Sequence, residues 1–144
     1  LEYDKIVREL GLTDGKSFGK GSRIIKYEYD MPAVLAAADL IICRAGAVSL
    51  AELAARELPS ILIPYPYASG DHQTFNARVF VKAEAAKMIA DKYVTEKELI
   101  QDINDFRHQP ETLERMSEAT KKIKKIYAGV DIAQLALEMT ENKK

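Results

Sequence analysis

The sequence predicts a three-layer α/β/α domain built on a parallel sheet, and two observations support this prediction. Short apolar runs alternate with segments of helical periodicity along the 144 residues, as in parallel sheets with helices on both faces. The runs at residues 40–43 and within 60–64 are also continuously apolar, which indicates strands covered on both sides. The expected fold class is therefore α/β, with a Rossmann-like arrangement of strands and helices.

Local signals place the elements along the chain. Asp30 or Met31 can cap a short helix that has Pro32 in its first turn. Thr95 and Glu98 form a capping box at the start of a later helix. The predicted elements are helices over residues 3–10, 32–38, 48–57, 72–86, 95–106 and 110–128 and from 132 onward, a loop over 15–22, and strands over 23–27, 40–43, 60–64 and 87–90.

The last part of the chain is predicted to form two helices. From Pro110, apolar side chains recur on one helical face as far as Ile126, and Gly129 breaks this helix. Asp131 caps the final helix, whose apolar face is expected to point inward. That face consists of Ile132, Leu135, Ala136 and Met139.

Residues 38–52 have the pattern of a strand, a turn of small residues and then a helix. Gly46 permits a tight bend and the close approach of backbone to a ligand. A helix that begins at Ala47 directs free N–H groups beyond the sheet, which suits a phosphate, and Ser49 adds a hydroxyl donor. Glu52, one turn later, has the wrong charge for a phosphate and suits the vicinal hydroxyls of a sugar.

One edge of the predicted sheet collects three loops. They cover residues 28–30, 44–52 and 65–76, and each follows a predicted strand. Ligands of such sheets bind beyond the carboxyl ends of the strands. The three loops together therefore predict one binding site.

The third loop leads into a helix with polar side chains at its start. Gln73 and Asn76 lie three residues apart, and His72 lies four before Asn76, so the three share one face. Two neutral amides suit sugar hydroxyls and an acetamido group. The alternative is an ordinary polar helix start that is capped by Asp71. His72 has no visible carboxylate partner that would orient a catalytic base, so a phosphate contact or a supporting role is favoured.

Two further residues of the predicted site have structural alternatives. Glu52 could pair with Arg56 one turn later, although its apolar neighbours place it near a buried face and favour a function. Arg44 could hold a phosphate, or it could tie a loop carbonyl. The residues alone leave both alternatives open.

Composition limits the classes of function. A hydrophobic fraction of 47%, a charged fraction of 30% and a net charge of −1 fit a globular domain and give no bulk attraction to nucleic acid. Cys43 is the single cysteine and is expected to be a buried hydrophobe. No apolar run approaches the ~20 residues that span a bilayer, and no grouping has the spacing of a metal site. Four lysines between residues 121 and 125 are expected to form a solvated helix face.

Four stretches, in this order, resemble the C-terminal half of the MurG family of GT-B glycosyltransferases. They are ADLIICRAGA at 38–47, ELAA at 52–55, PSILIPYP at 59–66 and DHQTFNA at 71–77. The resemblance is close over residues 20–90 and looser towards the end, and it implies a donor-binding domain over residues 1–144. Members of this family transfer N-acetylglucosamine from UDP-N-acetylglucosamine to a lipid-linked muramyl-pentapeptide in peptidoglycan synthesis, with inversion and without a metal or other cofactor.

The resemblance implies a donor contact for each loop of the predicted edge. The start of the central helix meets the diphosphate, its carboxylate binds the ribose, the polar helix start after the third loop holds the sugar, and the first loop lines the uracil pocket. By position, the diphosphate residues are Ala47, Val48 and Ser49, with Arg44 and Gly46 beside them; the ribose residue is Glu52; the sugar residues are His72, Gln73 and Asn76; and the uracil residues are Glu28, through its backbone, and Met31.

The chain departs from the family at its start. This half of the family opens with a strand and a glycine-rich loop, whereas the chain begins at Leu1, after both, so we expect a fragment. The family's N-terminal domain is expected to supply the catalytic residues and to meet the lipid-linked acceptor and the inner face of the cytoplasmic membrane. We therefore expect this chain alone to bind donor weakly, to transfer no sugar and to expose an unpaired sheet edge.

Two other functions stay open at this point. One is a stand-alone donor-binding subunit that pairs with a membrane-bound acceptor subunit, as in the two-piece dolichol-linked N-acetylglucosamine transferase. The other is a non-enzymatic module that binds nucleotide sugars. Preference for UDP-N-acetylglucosamine over UDP-glucose favours a transferase, and indifference to the sugar favours a generic binder.

Overall fold

The structure is a computed structural model that describes residues 2–9, 17–18, 21–125 and 128–141. The chain divides into two compact units, residues 1–34 and residues 35–144. The helices are α1 Glu2–Glu9, α2 Met31–Ala37, α3 Ala47–Arg56, α4 His72–Lys82, α5 Glu96–His108, α6 Pro110–Ile123 and α7 Ala128–Glu141, with 3-10 turns at Ser69–Asp71 and Asp91–Tyr93. The strands are β1 Ser17–Phe18, β2 Ser22–Arg23, β3 Ile41–Cys43, β4 Ser60–Leu62 and β5 Ala86–Met88.

The first unit contains α1, a hairpin and the start of α2. Strands β1 and β2 are antiparallel, and they occupy part of the region that was predicted to be a loop over residues 15–22. Asp30 caps α2, as predicted, because its Oδ1 accepts a hydrogen bond of 3.2 Å from the N–H of Ala33. The helix predicted over residues 3–10 is confirmed as α1; Leu10 and the expected stop at Gly11 lie outside the described residues.

The strand predicted over residues 23–27 is wrong. Only Arg23 lies in a strand, and it pairs with Ser17 of the hairpin rather than with the parallel sheet. Ile25 and Tyr27 are 40% and 69% exposed. A strand forms when neighbouring strands satisfy its backbone and its side chains are covered, and over the described residues 24–27 no ladder forms.

The second unit contains the parallel sheet, in the order β3-β4-β5. Ile42 of β3 lies beside Ile61 of β4, which lies beside Lys87 of β5. The α/β fold with a parallel sheet is therefore confirmed. Burial on both faces holds for the central strand β4 and fails for β3, an edge strand among the described residues, where Ile42 is 39% exposed. The weak strand predicted over residues 87–90 is present one residue earlier, as β5.

The core lies between the sheet and the helices α3, α4 and α6. The apolar residues of α3 recur at positions 50, 53 and 54, so the helical period brings them to one buried face. Each fully buried leucine contributes roughly 1.5–3 kcal/mol through the removal of apolar surface from water. The main members of this core are Leu50, Leu53, Ala54, Leu58, Leu62, Ala77, Phe80 and Ala119.

Helix α3 ends before Pro59, as the sequence predicts, because a residue that precedes proline leaves the α region. Glu57 adopts a left-handed conformation with φ 59°, and the N–H of Leu58 donates to the carbonyl of Leu53 at 3.0 Å. The carboxylate of Glu57 lies 2.8 Å from Lys124 and 3.7 Å from Lys121. This hydrogen bond with Lys124, and the charge of both lysines, lower the pKa of Glu57. The end of α3 is thus joined to the end of α6.

One of the two hydrogen bonds of the predicted capping box of α5 is present, since Thr95 Oγ1 accepts from the N–H of Glu98 at 3.1 Å. The prediction for the tail is wrong in two respects. Helix α6 already ends at Ile123, and Gly129 and Asp131 lie inside the first turn of α7 rather than between helices. The predicted inward face of α7 is exposed, with exposed fractions of 68% for Ile132, 58% for Leu135 and 62% for Met139, and with Ala136 also exposed. Ile126 lies outside the described residues.

A groove of about 1050 Å³ opens at the end of the sheet where the strands begin. Its walls are mainly apolar side chains from the residues before β3 and β4 and from α5 and α6, among them Leu35, Leu40, Leu58, Phe106 and Leu113. Among the described helices, none combines the length and the apolar character needed to cross a membrane.

Candidate functional site

The candidate site lies at the opposite end of the sheet, where β3, β4 and β5 finish. The loop after β3 carries Arg44, Ala45 and Gly46, and the loop after β4 leads through Tyr65 to the start of α4. A third loop follows β5, where sequence reasoning expected the loop over residues 28–30. The prediction is thus correct for the loops that begin at residues 44 and 65 and wrong for residues 28–30, because β2, the strand before them, pairs with β1 and not with the parallel sheet.

Gln73 connects the loops after β3 and β4. Its Oε1 accepts two backbone hydrogen bonds, from Ala45 at 3.2 Å and from Tyr65 at 3.0 Å. Both partners are N–H donors, so the oxygen of the amide must face them. The Nε2 group is left as a donor, and it has no protein partner within the described part of the chain.

Asn76 lies one turn after Gln73 and reaches the same loop. Its Nδ2 donates to the carbonyl of Ala45 at 3.2 Å, and its Oδ1 remains as an acceptor. Ala45 is fully buried, and both its N–H and its carbonyl are bound by α4. The prediction that Gln73 and Asn76 share one face is confirmed, and the two amides do more than begin a helix because they anchor the loop after β3.

Arg44, in the loop after β3, also joins this loop to the loop after β4. Its Nη1 donates to the carbonyls of Ile63 and Pro64 at 3.2 and 3.3 Å and to Asp91 Oδ1 at 2.5 Å. The guanidinium also lies 5.6 Å from the centre of the Tyr65 ring. The tie to loop carbonyls considered for Arg44 is therefore present, and its contact with a phosphate stays a prediction.

The start of α3 has no side-chain cap. Gly46 is its N-cap residue, and its carbonyl accepts from the N–H of Leu50 at 3.0 Å. The N–H groups of Ala47, Val48 and Ser49 precede the first helical hydrogen bond, so they are available to an anion. The tight bend expected at Gly46 is wrong, since its φ of −67° is open to any residue and an added Cβ would lie 3.8 Å from Ser49 Oγ.

Glu52 follows on the same helix, one turn from its start, and is exposed. The predicted alternative, an ion pair with Arg56, does not form in the described part of the chain. Leu53, its neighbour, is 2% exposed, so the helix is anchored while the carboxylate faces solvent. A carboxylate in that position can accept hydrogen bonds from hydroxyl groups.

Asp71 is the N-cap residue of α4, but the cap predicted for it is wrong. It adopts a left-handed conformation with φ 54°, and its side chain accepts no backbone hydrogen bond. Its Oδ1 instead accepts the hydroxyl of Thr74 at 2.6 Å. His72 Nδ1 lies 2.6 Å from the carbonyl of Ser69. Because a carbonyl only accepts, Nδ1 carries a proton, and in the neutral ring Nε2 is left as an acceptor.

The two residues expected at the uracil belong to the first unit. Glu28 Oε1 accepts from the N–H of Asp30 at 2.7 Å, and Met31 is 40% exposed at the start of α2. Both assignments stay predictions. Cys43, in β3, is partly buried, and this burial raises the pKa of its thiol. Within the described residues, no group of His, Cys, Asp and Glu could hold a metal ion.

Asp91 is the residue of this edge that sequence reasoning missed. A signal was available, since this acidic residue follows directly on the strand predicted over residues 87–90. Its partner Arg44 is 47 positions away in the sequence, and no local pattern connects them.

This layout defines the class of protein: an α/β domain of the open, parallel-sheet type, whose ligands bind beyond the carboxyl ends of the strands. Residues 6–130 match the glycosyltransferase family 28 C-terminal domain. The chain therefore belongs to this family.

Curated relatives and a solved structure support the same assignment. The chain is 42% identical over 142 residues to a UDP-N-acetylglucosamine–N-acetylmuramyl-(pentapeptide) pyrophosphoryl-undecaprenol N-acetylglucosamine transferase of Syntrophus aciditrophicus, covering 94% of this chain and 39% of that protein. It is 43% identical over 131 residues to the protein of the same name from Desulforamulus reducens, covering 90% of this chain and 35% of that protein. The crystal structure of Acinetobacter baumannii MurG is similar with a TM-score of 0.73 and 28% identity, over 81% of this chain and 33% of that one.

These matches confirm the resemblance to the MurG family that the sequence indicated. The chain spans less than two fifths of the length of these curated relatives, for example 39% of the Syntrophus protein and 38% of a Thermoanaerobacter relative.

Proposed function

We propose that this chain is the donor-binding part of an inverting, metal-independent N-acetylglucosaminyltransferase that uses UDP-N-acetylglucosamine. The observation that carries the proposal is the pairing, at one sheet edge, of an uncapped helix start at Gly46 with two anchored amides, Gln73 and Asn76. The first suits a diphosphate and the second suits a sugar. The names of the curated relatives support this donor.

The diphosphate is assigned to the start of α3. The N–H groups of Ala47, Val48 and Ser49 stabilise negative charge there, and this charge grows on the leaving UDP as the bond to the sugar breaks. A leaving group that is stabilised by N–H groups does not need a metal ion for this purpose. Glu52, one turn along, accepts hydrogen bonds from the ribose hydroxyls.

The sugar is assigned to the two amides of α4. Gln73 offers Nε2 as a donor, and Asn76 offers Oδ1 as an acceptor, because the other atom of each amide is bound to the protein. One donor and one acceptor in fixed positions suit a pair of sugar hydroxyls. His72 lies beside them, and in its neutral form its Nε2 is an acceptor. The assignment of Glu28 and Met31 to the uracil rests on the resemblance to the family alone.

The complete reaction requires an acceptor site and a catalytic base, which we assign to the part of the relatives that this chain does not span. There the whole protein would meet the lipid-linked muramyl-pentapeptide at the inner face of the cytoplasmic membrane. We expect the 144-residue chain alone to bind donor weakly and to transfer no sugar. Turnover of lipid-linked acceptor by this chain alone would contradict that expectation.

The test is a titration with UDP-N-acetylglucosamine that is followed by backbone amide chemical shifts, with UDP-glucose and UDP as comparisons. The proposal predicts shifts at the starts of α3 and α4, and tighter binding of UDP-N-acetylglucosamine than of UDP-glucose. Equal affinity for both sugars would instead support a generic nucleotide-sugar module. Shifts confined to the groove at the other end of the sheet would contradict the proposed site.

A further inference from the structure

Asp91 follows β5 at the same sheet edge as the proposed donor site. It begins the 3-10 turn Asp91–Tyr93, and its Oδ1 lies 2.5 Å from Arg44 Nη1. We infer that Asp91 is a positioning residue of the donor site, which acts through Arg44 and one peptide group on the side chain of Gln73. The inference rests on the proposed function, because it assigns Asp91 a task in donor binding.

The peptide group between Pro64 and Tyr65 is held on both of its sides. Its carbonyl oxygen, on Pro64, accepts from Arg44 Nη1 at 3.3 Å. Its N–H, on Tyr65, donates to Gln73 Oε1 at 3.0 Å. A peptide group is planar, so the direction of the carbonyl determines the direction of the N–H. The guanidinium that orients the carbonyl therefore also orients the N–H towards Gln73.

The position of the Tyr65 N–H affects the side chain of Gln73, because the atom that binds it, Oε1, belongs to the same amide as the free donor Nε2. Its Oε1 also accepts from the N–H of Ala45 at 3.2 Å, so two backbone groups define the plane of the amide. With Oε1 held, Nε2 points to the other side of the amide, where it is proposed to bind the sugar. A displaced Tyr65 N–H would rotate the amide and misdirect Nε2.

Asp91 also determines how available the charge of Arg44 is. A guanidinium that is paired with a carboxylate is a poorer ligand for phosphate, because the carboxylate competes for the donors and repels the anion. The two roles considered for Arg44 therefore predict opposite effects when Asp91 loses its charge. Donor binding weakens if Arg44 positions the loop, and it tightens if Arg44 is released to bind phosphate.

The test compares Asp91→Asn with Asp91→Glu and with the control Asp39→Asn. Asp39 precedes β3 and lies at the opposite end of that strand from Arg44, so the control removes the same charge elsewhere. In the ligand-free chain, hydrogen exchange of the Tyr65 amide is expected to accelerate about two- to fivefold in Asp91→Asn, as for the loss of a partly exposed ion pair. Asp91→Glu restores the charge and is expected to show a smaller acceleration, and Asp39→Asn none.

Donor affinity provides the second readout. The affinity of Asp91→Asn for UDP-N-acetylglucosamine is expected to fall about two- to fivefold, and its affinity for UDP, which lacks the sugar, is expected to change less. A general loss of structure would lower both affinities together, so the ratio of the two separates positioning from stability. Thermal unfolding of each variant confirms that the chain is folded.

Unchanged exchange at Tyr65, or equal tightening of UDP and UDP-N-acetylglucosamine in Asp91→Asn, would overturn the inference. If the unsubstituted chain binds UDP-N-acetylglucosamine no more tightly than UDP, this result contradicts the proposed function rather than the inference about Asp91. Faster exchange at Tyr65 in the ligand-free variant would, in that case, still support the connection from Asp91 to Gln73.

Discussion

The two ends of the parallel sheet differ in the kind of side chain that lines them. At the carboxyl end, Gln73, Asn76 and Arg44 bind the backbone of neighbouring loops, and the helix start at Gly46 stays open. At the amino end, apolar side chains line a groove of about 1050 Å³, and an ion pair between Glu57 and Lys124 joins two helix ends beside it. The first end holds polar groups in fixed directions, and the second holds mainly apolar surface.

Under the proposed function, the volume of a groove is a poor guide to the position of the donor site in this chain. A specific small-molecule site needs a few polar groups that converge on the ligand. The large groove is lined mainly by apolar side chains, and two of its carboxylates, Glu57 and Glu118, are paired with Lys121. At the carboxyl end, the free amide atoms of Gln73 and Asn76 have fixed directions, because the other atom of each amide is bound to the protein.

The largest effect is expected at the amino end, on stability. Leu58 is 6% exposed and contributes to both the core and the groove. Leu58→Ala is expected to lower the free energy of unfolding by about 3 kcal/mol, because it leaves a cavity in packed surroundings. Chemical denaturation measures this loss, and Leu135→Ala, at a site 58% exposed, is the matched control. A change in the donor affinity of the folded Leu58→Ala chain would contradict the view that the two ends of the sheet act independently.

The next effect is expected at the carboxyl end, on binding. Glu52→Ala is expected to weaken UDP-N-acetylglucosamine and UDP roughly tenfold to a hundredfold, the loss of hydrogen bonds to a charged group. The free energy of unfolding should change by less than ~0.5 kcal/mol, since the side chain is exposed. Isothermal titration calorimetry measures the affinity, and Glu114→Ala, on an exposed residue beside the groove, is the control. If Glu52→Ala destabilises the fold while the folded fraction keeps its affinity for the donor, then Glu52 has a structural role rather than a binding role.

The smallest effect is expected from the ion pair of Glu57, and it depends on pH. The folded chain holds the pKa of Glu57 below its ordinary value, mainly through the hydrogen bond from Lys124. The stabilising contribution of Glu57 is therefore complete above the ordinary pKa and is lost as the pH falls through the lower folded value. In Glu57→Gln, the free energy of unfolding should therefore fall less steeply as the pH is lowered. Denaturation in a series of buffers from neutral to acid pH measures this dependence. An unchanged dependence would contradict this prediction, and donor affinity at neutral pH should not change.

Local patterns were sufficient for much of the fold and for part of the site. Periodicity and caps predict helices over residues 48–57 and 95–106, which the structure has at Ala47–Arg56 and Glu96–His108. Spacing alone brings Gln73 and Asn76 to one face. The strand at 23–27 could not be predicted correctly, because a strand depends on partners that its own residues do not specify. Likewise the amphipathic pattern of α7 indicates a face that favours burial but not whether this chain covers it.

Long-range contacts account for the rest of the site. The connection from Asp91 to Arg44 joins residues 47 positions apart, and Gln73 reaches Ala45 across 28 positions. Gly46 illustrates the opposite error, since a glycine in a turn suggests a special conformation that its φ of −67° does not require. Sequence identifies the polar groups of this edge, whereas only the folded chain shows which atoms of each are already in use.

The uncapped start of α3 predicts that the melting temperature of this chain depends on the anions in solution. Gly46 provides no side-chain cap, so the first N–H groups of α3 have no partner in the described part of the chain. An anion that takes these hydrogen bonds binds the folded chain and not the unfolded one, so it raises the free energy of unfolding. At about a hundredfold excess of free donor over its Kd, the gain is about 2.7 kcal/mol. The melting temperature of the isolated chain should therefore report the donor concentration around it.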